Sequence, residues 1–452
     1  MLRRLLFGNP YETRTEIEGV VQEIDDNESG HNFDEVQILS GHNDIVDLII
    51  NIDDQRILTT GQDKKGIVWD CKTGKMVCEL VGHKRAITAA IIIRKYLDSI
   101  EDFSDVIVTA SSDEAIKIWD VLTGRCKRTI TEHKGTVKCF SIGRSEPCVV
   151  ITAGQDICLW DASFNLLAIF QRNSLDYIHS AIFVKTDRIV VATDQPTLVV
   201  YNVPTLNDDD DVSQQITECK KLLPHRESVT ALTLVSDAIF TSASMDGGII
   251  IWTTHRLVAT RKFNHYDNFM NITDHTYPYS VQHLMVAESH YVLAAIGCGF
   301  AIFDARFDDS KKCIARVTNA HHSQVTALAL LNKGKYLATA SLDGTVRLWS
   351  GVPLDKDVAQ KEQPMLKSLL SRLFERNLSE VKRFPLPLHL VGQCYAHSNS
   401  VKGITECGNE GFVSFDNDGL VILWKDSLKK RLGDDKAIRM VLEKLGWNKT
   451  NS

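Results

Sequence analysis

Three observations predict an all-β fold built from eight copies of one short unit in this 452-residue chain. First, six segments place two β-rich runs around a polar turn and end in tryptophan, at Trp69, Trp119, Trp160, Trp252, Trp349 and Trp424. Each reads as a hairpin. Second, a histidine stands upstream of each tryptophan, at His42, His83, His133, His225, His321 and His397. The spacing is 27 positions in four units, 28 for His321 to Trp349, and 36 for His83 to Trp119, where IRKYLDSIEDFS supplies the excess. Third, the intervals Trp160–Trp252 and Trp252–Trp349 span 92 and 97 positions. Each equals two periods of about 40–45 residues.

A worn copy falls in each of those wide intervals. DRIVVATDQPTLVVYN puts Tyr201 and Asn202 where the Trp-Asp ending would stand. YVLAAIGCGFAIFD puts Phe303 and Asp304 there. The count is therefore eight units.

The recurring positions resemble the WD40 family over about residues 34–425. The resemblance implies that each unit supplies four antiparallel strands to one blade of a propeller. It also implies a buried His–Ser/Thr–Asp–Trp hydrogen-bond network in each blade. On the matching positions the full set is His83, Ser111, Asp113 and Trp119, then His225, Ser244, Asp246 and Trp252, then His321, Ser341, Asp343 and Trp349. The first unit has His42, Asp63 and Trp69 but Gly61 at the serine position. Such residues look catalytic by type. The expectation here is structural, because a buried imidazole or carboxylate is costly unless partnered and a satisfied network stiffens its surroundings.

The phase of the repeat predicts how the ring closes. The last unit lacks an outer strand after Trp424, and the unmatched strand DEVQILSGH precedes the first unit. Pairing the two completes the eighth blade and leaves no open sheet edge. The expected fold is thus an eight-bladed WD40 β-propeller with a long seventh-blade insert and a short C-terminal helix. Its parts are an N-terminal extension (1–33), the propeller (34–425, with the insert at 351–387), and a tail (426–452).

The tail reads as an amphipathic helix. Asp434 or Asp435 can cap it, and Gly446 can stop it. Ile438, Val441, Leu442 and Leu445 form one apolar stripe at i, i+3, i+4 and i+7. A helix this short is marginal alone in water, so the stripe must dock, either on its own propeller or on a partner. The insert has a looser pattern of the same kind. Leu369, Leu370, Leu373 and Phe374 are its candidate anchors, among Lys367, Arg372 and Arg376. Loops of this length are usually functional or disordered. The insert is therefore expected to be a tethered binding segment.

Composition narrows the function. Hydrophobic residues are 44% and charged residues 24%, ordinary globular values. The net charge of −7 gives no basis for expecting nucleic-acid binding. MLRRLLF is too short for a signal peptide or a membrane span, so direct membrane insertion is not expected. Eleven scattered cysteines without C-x-x-C pairs read as reduced thiols in a cytosolic protein. G-x-S-x-G, P-loop and H-E-x-x-H motifs are absent. Cys71 and Cys78 flank a turn but have no histidine partner at zinc spacing. The acidic run Asp208–Asp211 lacks the glycine and closing glutamate of a calcium loop. No enzyme activity, cofactor or metal is expected.

Within the WD40 family, the chain resembles a propeller that forms a cytosolic heterotrimer with two DENN-domain proteins. The match rests on MLRRLLFG, on the first unit, on TAGQDICLWD, on the insert and on the terminal helix. The resemblance implies a non-catalytic scaffold in a GTPase-activating assembly tied to autophagy and lysosomal nutrient signalling. It implies that the terminal elements meet one DENN-domain partner. It also implies that the insert reaches a cationic amino-acid transporter, recruiting the cytoplasmic protein to the lysosomal surface. The alternative is a substrate receptor of a cullin-type ubiquitin ligase. The arginine such receptors carry two places after Trp-Asp is replaced here by Lys72, Leu122 and Ser163.

Overall fold

The computed structural model describes residues 33–426 except 34, 100–101, 144–148, 173–175, 205–214, 224, 264–278, 307–312, 351–387, 396 and 409–410. The insert, the tail helix and the acidic run Asp208–Asp211 therefore lie outside the described residues, as does most of the N-terminal extension.

Eight four-stranded antiparallel sheets are the blades. In blade one the order from hub to rim is Val46–Asn51, Arg56–Gly61, Lys65–Asp70 and Met76–Val81. Blades two to seven repeat that order. The innermost strands of successive blades touch around the hub, and Val401–Cys407 of blade eight returns to Val46–Asn51 of blade one. Blade eight is completed as the repeat phase predicts. Glu35–Ile38 pairs antiparallel with Val421–Lys425, with Val36 opposite Trp424. Leu39 N–H extends the pairing to the Val421 carbonyl at 2.9 Å.

The central two strands of each blade are almost wholly buried, because neighbouring blades cover both faces. They read accordingly as continuous runs such as VIVTAS and YLATAS rather than as alternating patterns. The outer strands are more polar, as TECKKL and CKRTI show. The cores lie between blades. Trp119 packs with Leu58, Val68 and Leu80 of blade one, and Trp349 meets Phe300 of blade six edge-on at 5.3 Å. The worn copies keep a buried aromatic at this place, with Tyr201 in the core of blades three and four and Phe303 in that of blades five and six.

Every innermost strand carries a β-bulge after its first residue. The bulge turns the next side chain toward the following blade. In three blades that side chain is threonine. Thr88, Thr230 and Thr326 donate to the carbonyls of Val137, Val281 and Val401 of the next blade, at 2.6, 2.6 and 2.7 Å. At the closing seam the same position is Asp47, paired with Lys402 of blade eight at 3.2 Å.

One cysteine expectation is corrected. Cys71 of blade one and Cys407 of blade eight form a disulfide, with Cα atoms 5.9 Å apart. They are 336 residues apart, so no local spacing signals the pair. Ring closure alone brings them together. Eight further cysteines among the described residues are free thiols.

Candidate functional site

Each of five blades assembles one polar network around a hydroxyl. In blade two, Trp119 Nε1–H donates to Thr109 Oγ1 at 2.7 Å, and that oxygen lies 2.8 Å from His83 Nε2. The far side of the ring, Nδ1, faces Asp113 at 3.1 Å. The indole uses a lone pair of the hydroxyl, so the hydroxyl proton points to Nε2. The imidazole proton is then assigned to Nδ1, aimed at the carboxylate. Asp113 also accepts the backbone N–H groups of Lys84 at 2.6 Å and Ala115 at 3.0 Å. The carboxylate thus closes the hairpin turn and anchors the segment carrying His83.

The electrostatics follow from burial. Desolvation is the largest influence on His83 and pulls its pKa below the ordinary imidazole value, with Asp113 opposing it. For Asp113, burial acts upward, but the two amides and the ring outweigh it and hold the carboxyl below its usual range. His321 and Asp343 in blade seven shift in the same directions: burial lowers the ring, and at the carboxyl the His321 ring and the Thr345 hydroxyl outweigh burial.

The serines expected in these sets are not at the junction. Ser111 donates to the Arg85 carbonyl at 3.0 Å and accepts the Asp113 N–H at 3.1 Å. Ser244 and Ser341 likewise donate to the Glu227 and Ser323 carbonyls. The junction hydroxyl stands two positions earlier, on the same strand face. In blade five it is Ser242, 2.9 Å from both His225 Nε2 and Trp252 Nε1. His225 Nδ1 there lies 3.6 Å from Asp246. In blade seven it is Thr339, 2.7 Å from His321 Nε2 and 3.1 Å from Trp349 Nε1, with Asp343 3.1 Å from His321 Nδ1. Blade one is complete despite Gly61, because Thr59 bridges Trp69 and His42 and Asp63 holds the ring.

Two blades depart from the pattern. In blade eight, Ser414 joins Trp424 to His397, and the buried Asp416 takes Nδ1 at 2.8 Å. Asp418, six positions before the tryptophan as in the other blades, instead accepts Asn399 Nδ2. In blade three the hairpin is shorter, and Thr152 lies eight positions before Trp160, which donates to it at 2.9 Å. His133 Nδ1 turns to the Lys134 carbonyl at 3.1 Å, and Asp156 caps the Arg172 N–H.

An Asp–His–hydroxyl row is also the set used in nucleophilic hydrolysis. Here it cannot act that way. Thr109 and Thr339 are fully buried and each already accepts an indole N–H. No carbonyl carbon can approach them. Among the described residues, no group of three or more His, Cys, Asp or Glu could hold a metal ion. No helix among them is long and apolar enough to cross a membrane. The proposed contact residues Ile438, Val441, Leu442, Leu445, Leu369, Leu370, Leu373 and Phe374 lie outside the described residues.

The chain is similar to known proteins along nearly its whole length. Human WD repeat-containing protein 41 is 27% identical over 450 residues, covering 94% of each chain. The mouse protein of that name is 26% identical over 456 residues at the same coverage. The computationally designed Ika8 protein superposes with a TM-score of 0.60 at 19% identity, covering 86% of this chain and 98% of the other, a likeness of fold alone. A family model described as the WDR41 β-propeller matches residues 1–432, so this chain belongs to the WDR41 family of WD40 propellers.

Proposed function

We propose that the chain is a non-catalytic scaffold that joins two DENN-domain proteins in a GTPase-activating heterotrimer and brings that assembly to lysosomes in nutrient and autophagy signalling. The observation that carries this reading is the extent of the family match. It runs from residue 1 through the N-terminal extension and the seventh-blade insert, beyond the ring itself. The burial of the histidine side chains and of the hydroxyls in these five networks supports a framework role for those residues. Specificity then resides in what the chain adds to the ring.

Affinity purification of the tagged full chain, read by mass spectrometry, tests the proposal. Two DENN-domain proteins in near-equal amount are expected. Leu442→Asp, which places a charge on the tail's apolar stripe, is expected to abolish their recovery while the propeller melts as before. Stoichiometric recovery with that variant would place the interface elsewhere. Recovery of cullin-adaptor subunits in place of DENN-domain proteins would replace the proposal with the ubiquitin-ligase reading.

A further inference from the structure

The ring is closed at one seam, between blades eight and one. Among the described residues, the chain itself crosses that seam only through the N-terminal strand. Glu35–Ile38 lies in blade eight, and Val46–Asn51 opens blade one. The other links from blade one to the C-terminal three strands of blade eight include the Lys402–Asp47 ion pair at 3.2 Å and the Thr405–Asn51 hydrogen bond at 3.1 Å. The turn after Val401–Cys407 also presses on blade one. Gly408 has φ +54°, and a Cβ there would stand 1.7 Å from the Asp54 carbonyl oxygen.

The Cys71–Cys407 disulfide joins these same two bodies without using the N-terminal strand. Cys71 follows the third strand of blade one, and Cys407 ends the innermost strand of blade eight. Both sulfurs sit in the apolar cluster of the seam with Leu39, Trp69, Val413 and Phe415. Both residues are at most 1% exposed. A thiol or disulfide reagent therefore reaches them only when the seam parts. In reducing compartments disulfides are transient or redox-sensing rather than permanent staples. We propose that Cys71 and Cys407 form a redox latch: oxidised, they close the ring covalently and make closure independent of the N-terminal strand; reduced, they leave closure to that strand and the seam contacts.

The chemistry is thiol–disulfide exchange with a low-molecular-weight disulfide. One protein thiolate attacks the small disulfide, forming a mixed disulfide and releasing one small thiolate. The second protein thiolate attacks the mixed disulfide at the protein sulfur, forming the Cys71–Cys407 bond and releasing a second small thiolate. One S–S bond forms and one breaks. The two protons leave the cysteines and are carried by the two small thiols. The latch is oxidised by two electrons and the reagent reduced by two.

The test uses the full-length chain incubated in glutathione buffers from fully reduced to fully oxidised, then alkylated and digested. A Cys71–Cys407 linked peptide is expected under oxidising conditions. Its absence there would overturn the proposal. Melting is then compared for the wild type and Gln37→Pro, which removes a backbone donor in the middle of the N-terminal strand. The Gln37→Pro variant is expected to lose at least about twice as many degrees reduced as oxidised, because the latch joins the two bodies covalently where the seam contacts do not. Equal losses in the two states would overturn it. Cys407→Ala is expected to behave like the reduced protein in either buffer. Lys402→Ala is expected to speed exchange about threefold by weakening an exposed seam contact. An unchanged melting temperature of the wild type between the two buffers would show a bond without a latching role and would also sink the idea.

Discussion

Replacing Thr109 by valine tests where the polar networks are centred. Valine keeps the β-branched shape and removes only the oxygen, so strand geometry and packing volume change little. The lost oxygen serves two fully enclosed partners, Trp119 Nε1 at 2.7 Å and His83 Nε2 at 2.8 Å. Each orphaned group costs about 1–3 kcal/mol, so about 2–6 kcal/mol is expected together. Ser111→Ala removes bonds to the Arg85 carbonyl and the Asp113 amide. These sit in a half-exposed turn where water can substitute, so about 1 kcal/mol is expected. Urea unfolding followed by tryptophan emission, with melting as a second probe, gives the ranking. Thr109→Val should cost at least twice Ser111→Ala, and Thr109→Ser should recover most of the difference. If Ser111→Ala proves as costly as Thr109→Val, the serine and not the threonine is the hub, and the reading of the network fails.

Deleting residues 1–40 removes the paired strand together with buried Phe33, which meets Phe412 at 5.3 Å, and buried Leu39. Burial of those two side chains alone is worth about 3–6 kcal/mol, so melting should fall by on the order of 10 °C; a change of a degree or two would refute the clasp. The pH dependence has a definite sign. Burial depresses the pKa of His83, His133, His321 and His397 in the fold, so their contribution is full above about pH 6.5 and is lost as pH falls below it. Asp113, Asp246 and Asp343 are also depressed and add a second loss below about pH 4. A melting temperature that holds or rises from pH 7 to pH 5 would contradict this. Replacing 351–387 by a short Gly/Ser linker should leave melting and DENN-partner recovery intact while abolishing lysosomal recruitment in amino-acid-starved cells; an unchanged location would assign recruitment to another surface.

The blade count and the closing strand were legible because aromatic residues at fixed spacing leave a strong signal, and because Tyr201 and Phe303 kept their place when tryptophan was lost. The junction hydroxyl carries a spacing signal of its own. Thr59, Thr109, Ser242, Thr339 and Ser414 each stand ten positions before their tryptophan. The serines lie beside the aspartate in the turn, so their closeness in sequence imitates a place in the junction. Blade eight could not be read by spacing, since Asp418 keeps the expected distance while Asp416 makes the bond. Nor could the Cys71–Cys407 pair, whose proximity depends on seven intervening blade contacts rather than on any local pattern.

The bond register of blade seven determines how a load on the insert would travel. The insert interrupts the chain between Thr345–Ser350 and His389–Tyr395, which pair antiparallel from the rung Ser350–His389 inward to Thr345–Tyr395. A force that draws the two ends of the loop apart meets those rungs one at a time, like a zip fastener, rather than all together in shear. The hub end of the same blade is held by the Thr326 hydroxyl on the Val401 carbonyl, three strand ladders away. A partner that spreads the two ends of the insert would therefore peel the rim of one blade and spend its force there, while the remaining strands keep the ring in shape.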